Sequence, residues 1–232
     1  MGRVVELPPP PVEPIRSPEV TFRGERAILL KGPAGVLDAR LFGPSDARYA
    51  VVVCHPHPLY GGSMHSPVPL SISKGLSERG DVAYVRFNFR GVPKSEGMHD
   101  HGRGEIDDVA AALNALREHA PGASVSLCGH SFGSWVGLKA AGREPGVDRV
   151  ALVGPSIRFF QFDPKDGAPF DGRLAIFLGT EDEFCDPEEG KKLAEILGAE
   201  LRLFDGFDHH FMKSRRALSE QVVKFLLPER SF

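Results

Sequence analysis

From Thr21 onward the apolar residues of this chain arrive in short bursts divided by Gly, Pro and Asp, and the rhythm of the bursts changes along the sequence. Two strand-like runs, Thr21–Leu30 and Gly35–Phe42, flank Lys31-Gly32-Pro33-Ala34 and predict an antiparallel hairpin. Thereafter short apolar runs alternate with longer amphipathic ones. Ala50–Cys54, Val82–Phe89, Val125–Cys128, Val147–Val153, Arg173–Leu178 and Glu200–Phe204 read as strands. Ser66–Arg79, Gly104–His119, Trp135–Ala141, Pro187–Leu197 and Lys213–Leu227 read as helices, and Pro187 can open its helix because the first turn needs no N–H there. Acidic residues between Glu105 and Asp108 suit the first turn of their helix. Nearly continuous apolar strands alternating with helices predict an α/β fold, a mostly parallel sheet covered on both faces.

Two stretches fall outside this rhythm. Prolines at 8–11, 14 and 18 forbid a regular helix and predict an extended arm over residues 1–19, ahead of a single domain at 20–232. Pro155–Gly172 carries Phe159, Phe160, Phe162 and Phe170 among prolines, aspartates and glycines. It reads either as a surface loop pinned by its aromatics or as a minimal cap in which Phe159, Phe160 and Phe162 line a substrate pocket.

Composition narrows the function classes. A chain of 232 residues, 41% hydrophobic, can bury one substantial core. Its net charge of -3 is spread without a basic stripe, which excludes nucleic acid as an expected partner. No apolar segment approaches membrane-spanning length and none resembles a signal h-region, so the expectation is a cytoplasmic protein without a membrane partner. The oligomeric state is not fixed by these features. Three cysteines, Cys54, Cys128 and Cys185, are too few for a disulfide scaffold; Cys54 and Cys128 each end a predicted strand as buried thiols, a close pair if those strands are neighbours.

The chemistry concentrates at Gly129-His130-Ser131-Phe132-Gly133, a G-x-S-x-G sequence between a predicted strand and a predicted helix. That setting is a nucleophile elbow, a sharp turn whose flanking glycines relieve crowding and whose following helix offers N–H groups to an oxyanion. A serine hydroxyl needs a base, and the base needs a carboxylate. After the strand ending at Leu178 come Glu181, Asp182 and Glu183, of which Asp182 is the preferred acid; after the last strand come His209 and His210. Serine, acid and histidine follow in the order used by hydrolases of this architecture. A second oxyanion donor beside the Phe132 N–H is expected from the loop after Cys54, between His57 and Tyr60. His55, His57 and His65 invite a metal reading, but no Cys or carboxylate completes a ligand spacing, and no metal or other cofactor is expected. Arg90 is a candidate for the cleft wall.

The combination His-Pro-His-Pro-Leu-Tyr-Gly-Gly-Ser-Met (55–64), Arg-Phe-Asn-Phe-Arg-Gly-Val (86–92), the elbow, Gly-Thr-Glu-Asp-Glu (179–183) and Asp-His-His-Phe (208–211) resembles small bacterial α/β-hydrolases related to dienelactone-hydrolase-like and CocE/NonD-like serine hydrolases. The resemblance runs from about residue 20 to the C-terminus. It implies an eight-stranded α/β-hydrolase fold with Ser131, Asp182 and the first histidine of the pair, His209, as catalytic triad. Pro93 stands where relatives often have a second glycine, and Ser131 replaces the cysteine nucleophile of dienelactone hydrolases themselves. The expected activity is hydrolysis of small, short-chain carboxylic esters through an acyl-enzyme; a peptidase or amidase, and a non-catalytic binding protein on the same scaffold, are the alternatives.

Overall fold

The computed structural model describes residues 19–163, 165 and 170–228. The arm expected at 1–19 lies, apart from Glu19, outside the described residues. Eight strands form one sheet: β1 (Arg26–Gly32), β2 (Gly35–Phe42), β3 (Tyr49–Cys54), β4 (Val82–Phe87), β5 (Ser124–His130), β6 (Val147–Val153), β7 (Arg173–Gly179) and β8 (Glu200–Phe204). They are ordered β1-β2-β4-β3-β5-β6-β7-β8. β2 runs antiparallel to both β1 and β4, and every later pairing is parallel.

Helices cover both faces. α1 (Pro67–Ser77) and α5 (Arg215–Leu226) pack on one face; α2 (Arg103–His119), α3 (Phe132–Ala141) and α4 (Pro187–Leu197) pack on the other. This is why β3 is apolar throughout: Ala50, Val52 and Cys54 enter the core under α2 and α3, while Tyr49, Val51 and Val53 enter the core under α1 and α5. The same alternation separates two neighbouring thiols. β3 and β5 pair side by side, yet Cys54 faces one core and Cys128 the other.

Local chemistry sets most helix ends. Asp186 caps α4 by accepting the Glu189 N–H while Glu189 returns a bond to the Asp186 N–H, Pro187 opens the helix, and Gly198 closes it at φ 62°. Elsewhere tertiary bonds shift the predicted boundaries. The hairpin turn is only Pro33-Ala34, because Lys31 and Gly32 pair with Val36 and Gly35. Val20 and Phe22 are not strand: the Val20 N–H donates to His65 Nδ1 and its carbonyl accepts Arg86 Nη2. β4 stops at Phe87 because the Asn88 N–H turns to Asp38 O and the Phe89 N–H to His55 Nε2. Helix α3 starts three residues before the predicted Trp135, immediately after Ser131.

Candidate active site

Ser131, Ser156, Asp182 and His209 follow β5, β6, β7 and β8, and the His55–Gly62 loop follows β3. All five therefore project from the carboxyl edge of the parallel strands, where open α/β sheets bind ligands. Ser131 sits at φ 56°, ψ −117°, a conformation that L side chains resist, and it immediately precedes the first turn of α3. The turn closes tightly: a Cβ on Gly129 would lie 2.1 Å from Gly133 O, and one on Gly133 would lie 2.6 Å from His55 O. Ser131 N donates to Val153 O at 2.9 Å, which ties the elbow to β6.

Asp182 and His209 form a buried pair, 3% and 2% exposed, with His209 Nδ1 2.9 Å from Asp182 Oδ2. The other Asp182 oxygen accepts the Phe184 N–H, and the Phe184 ring stands edge-on to His209 at 4.7 Å. Glu181 and Glu183, the rival acids, are exposed, and His210 is exposed at the rim. Gly154, at φ 51°, leaves room for the pair, since a Cβ there would come within 3.1 Å of His209 Nδ1.

Two contacts were not legible in the motif. Ser156, 1% exposed, places its Oγ 2.9 Å from Ser131 Oγ. His130 Nε2 donates to the His209 carbonyl at 3.1 Å and so holds the backbone of the candidate base. Burial, reinforced by His209, keeps His130 uncharged by pushing its pKa well below the usual histidine range.

The loop after β3 is fixed by the imidazoles of His55, His57 and His65. His55 Nε2 accepts the Phe89 N–H, and its Nδ1 lies 2.6 Å from Pro56 O. Burial lowers its pKa to about 3. His57 Nδ1 accepts the Leu59 N–H, and burial followed by His99 lowers its pKa to about 4. His65 Nδ1 is the acceptor for Val20. Within the loop, Pro56 and Pro58 carry no N–H, Leu59 N–H is spent on His57, and Tyr60 N–H donates to His57 O at 3.2 Å. Of the residues between His57 and Tyr60, Leu59 and Tyr60 thus already have acceptors for their N–H groups within the loop.

Behind this loop, β4 and the residues after it act as a clamp. Arg86 Nη1 donates to Met64 O and Asn88 Oδ1 accepts the Met64 N–H, so one residue of the loop is held by both its backbone groups. Arg86 is neutralised by Glu25 through two 2.7 Å bonds, with both side chains fully buried. Arg90 does not line the cleft as the sequence suggested; it is 8% exposed and forks onto Asp108 of α2.

Ser131 and His209 line one cleft of about 540 Å³, with Ser156, His57, Tyr60, Phe159 and Phe160 among its walls. Phe160 stacks on Trp135 at 5.1 Å. Phe162, expected in the pocket, instead packs against the core under α2, α3 and α4. A larger open groove of about 1000 Å³ lies between α1 and α5, lined by lysine, arginine and glutamate side chains and by none of the residues above.

An α/β-hydrolase-fold family profile matches residues 49–207. An α/β serine hydrolase homologue from Coxiella burnetii is 30% identical, with a TM-score of 0.76 over 89% of this chain and 99% of that one. Protein XC6422 from Xanthomonas campestris, described as an α/β serine hydrolase without a lid, is 29% identical, with a TM-score of 0.76 over 92% of this chain and 100% of that one. Among curated proteins, the uncharacterised RP471 of Rickettsia prowazekii is 29% identical over 214 residues, 88% of this chain and 90% of its own length. With the strand order and this match over more than half its length, the chain belongs to the α/β-hydrolase fold family.

Proposed function

We propose that the protein is a serine carboxylesterase acting on short-chain esters. One observation carries the reading: a strained Ser131 shares a largely apolar cleft with a buried, hydrogen-bonded His209–Asp182 pair. In the proposed reaction Ser131, its Oγ accepting from Ser156, turns its own proton to His209 Nε2 and attacks the ester carbonyl. His209 takes the proton and returns it to the departing alcohol. Asp182 holds the tautomer with Nε2 free to accept and balances the charge on the ring. The Phe132 and His57 N–H groups receive the oxyanion. Water then repeats the sequence on the acyl-enzyme. Three unbridged thiols fit the reducing cytoplasm as its location.

Ser131→Ala tests the assignment. Hydrolysis of p-nitrophenyl butyrate is expected to fall by about four orders of magnitude or more, together with loss of labelling by a fluorophosphonate probe. Unchanged turnover in that variant removes Ser131 from the role, and failure of the well-folded wild type to label at all removes the hydrolase reading.

A further inference from the structure

The cleft has two unlike walls. On the side of the core beneath α2 and α3 the lining is aromatic, with Phe160 and His57 packed around Phe132. On the opposite side it comes from the starts of α1 and α5 and the turn between His209 and α5, with Pro67, Val68 and Met212 leading to Arg215. Arg215 is the single arginine or lysine among the described lining residues. Its Nε donates to His210 O at 3.0 Å and its carbonyl accepts Ser71 Oγ, which anchors the residue and orients its guanidinium. No carboxylate forms an ion pair with it among the described residues.

The acids nearby are otherwise engaged or turned away. Asp182 is spent on His209 and Phe184, Asp208 Oδ1 accepts the Met212 N–H, and Glu183 is exposed; none of the three lines the cleft. Burial and then His209 lower the pKa of both His210 and His130, despite the opposing pull of Glu183 and Asp208 on His210, which disfavours a second cation at those two rings. The wall therefore presents an unbalanced positive charge beyond a short apolar surface. A guanidinium offers parallel donors that match a carboxylate, and partial burial reduces the screening that makes exposed pairs weak.

We propose that the substrate is a carboxylate-bearing ester, with its carboxylate on Arg215, its hydrocarbon spacer along Val68 and Met212, and its reacting carbonyl at Ser131. This rests on the carboxylesterase reading and specifies its substrate class. The bonds are those of ordinary hydrolysis. Ser131 Oγ joins the carbonyl carbon, the alcohol leaves with the proton held by His209, and water releases a free acid that carries a second carboxylate when that group sits on the acyl side.

The test pairs each monomethyl ester of succinate, glutarate and adipate with the methyl ester of the monocarboxylic acid of equal carbon number, following released methanol. The wild type is expected to favour the best of these monomethyl half-esters by about tenfold to a hundredfold in kcat/KM, and to lose most of that preference as NaCl rises. The ratio for each pair is then measured in Arg215→Met, where any general damage to the His209 loop cancels; it is expected to collapse toward one. Equal or better turnover of the neutral esters by the wild type, or a preference that survives Arg215→Met, overturns the assignment while leaving the esterase reading intact. No turnover of any ester, without fluorophosphonate labelling, overturns both.

Discussion

At 2.9 Å from Ser131 Oγ, the Ser156 hydroxyl decides how the candidate nucleophile is presented. With Ser156 as donor, the Ser131 proton stays available to His209, and negative charge growing on Oγ keeps a partner. Ser156→Ala removes one neutral hydrogen bond, worth about 1 kcal/mol. The expected result is a fall in kcat of roughly threefold to tenfold with KM little changed, and Ser156→Thr restoring most of the rate. A rise in kcat would mean that Ser156 holds the nucleophile away from its base. The sequence marked Ser131, Asp182 and His209 because each stands in a recognisable setting and in order along the chain. Ser156 carried no such mark, since its role arises only from β6 lying beside β5. The engagement of the Tyr60 amide was equally hidden, because it arises from a single turn of 3₁₀ helix at Pro58–Tyr60.

The strand-and-turn segment 86–90 shows how one element serves a distant loop. Phe87 and Phe89 enter the core, while Arg86, Asn88 and Arg90 reach Glu25, Met64 and Asp108. Removing one partner of a buried pair leaves the other charged and unsatisfied, at a cost of about 3–5 kcal/mol. Glu25→Ala is accordingly expected to lower urea-unfolding stability by that amount, and Glu25→Ala combined with Arg86→Met to lose clearly less than the sum of the single changes. Additive losses would show that the pair does not act as a unit. Among the described residues, apolar rhythm was enough to locate the eight strands and the five α-helices, because each of these buries a continuous face. Their ends were less legible. Glu25 lies 61 residues from Arg86, and Asp108 lies 18 from Arg90, so no local pattern could reveal that this motif is a clamp or that Arg90 leaves the cleft.

The whole molecule carries its loop on neutral histidines, and that couples folding to pH. His55 titrates at about 3 in the fold and His57 at about 4, both below the ordinary 6.5, with burial the main cause. The unfolded chain therefore binds protons that the native chain refuses. The stability each contributes is complete above pH 6.5 and is lost on acidification, down to about pH 4 for His57 and about pH 3 for His55. In that window each histidine lowers unfolding free energy by up to about 1.4 kcal/mol per pH unit. Urea midpoints at pH 7, 6 and 5 should decline accordingly, and His55→Gln should flatten the decline; an unaltered slope would assign the acid sensitivity to other groups. The elbow pulls against stability in another way. A backbone at φ 56°, ψ −117° suits glycine, and holding a side chain there costs on the order of 1 kcal/mol. A lineage selected for persistence of the fold alone would drift to glycine at 131, trading an idle side chain for an easier torsion. The serine side chain therefore stands where the torsion favours none, and that cost argues that its hydroxyl is used.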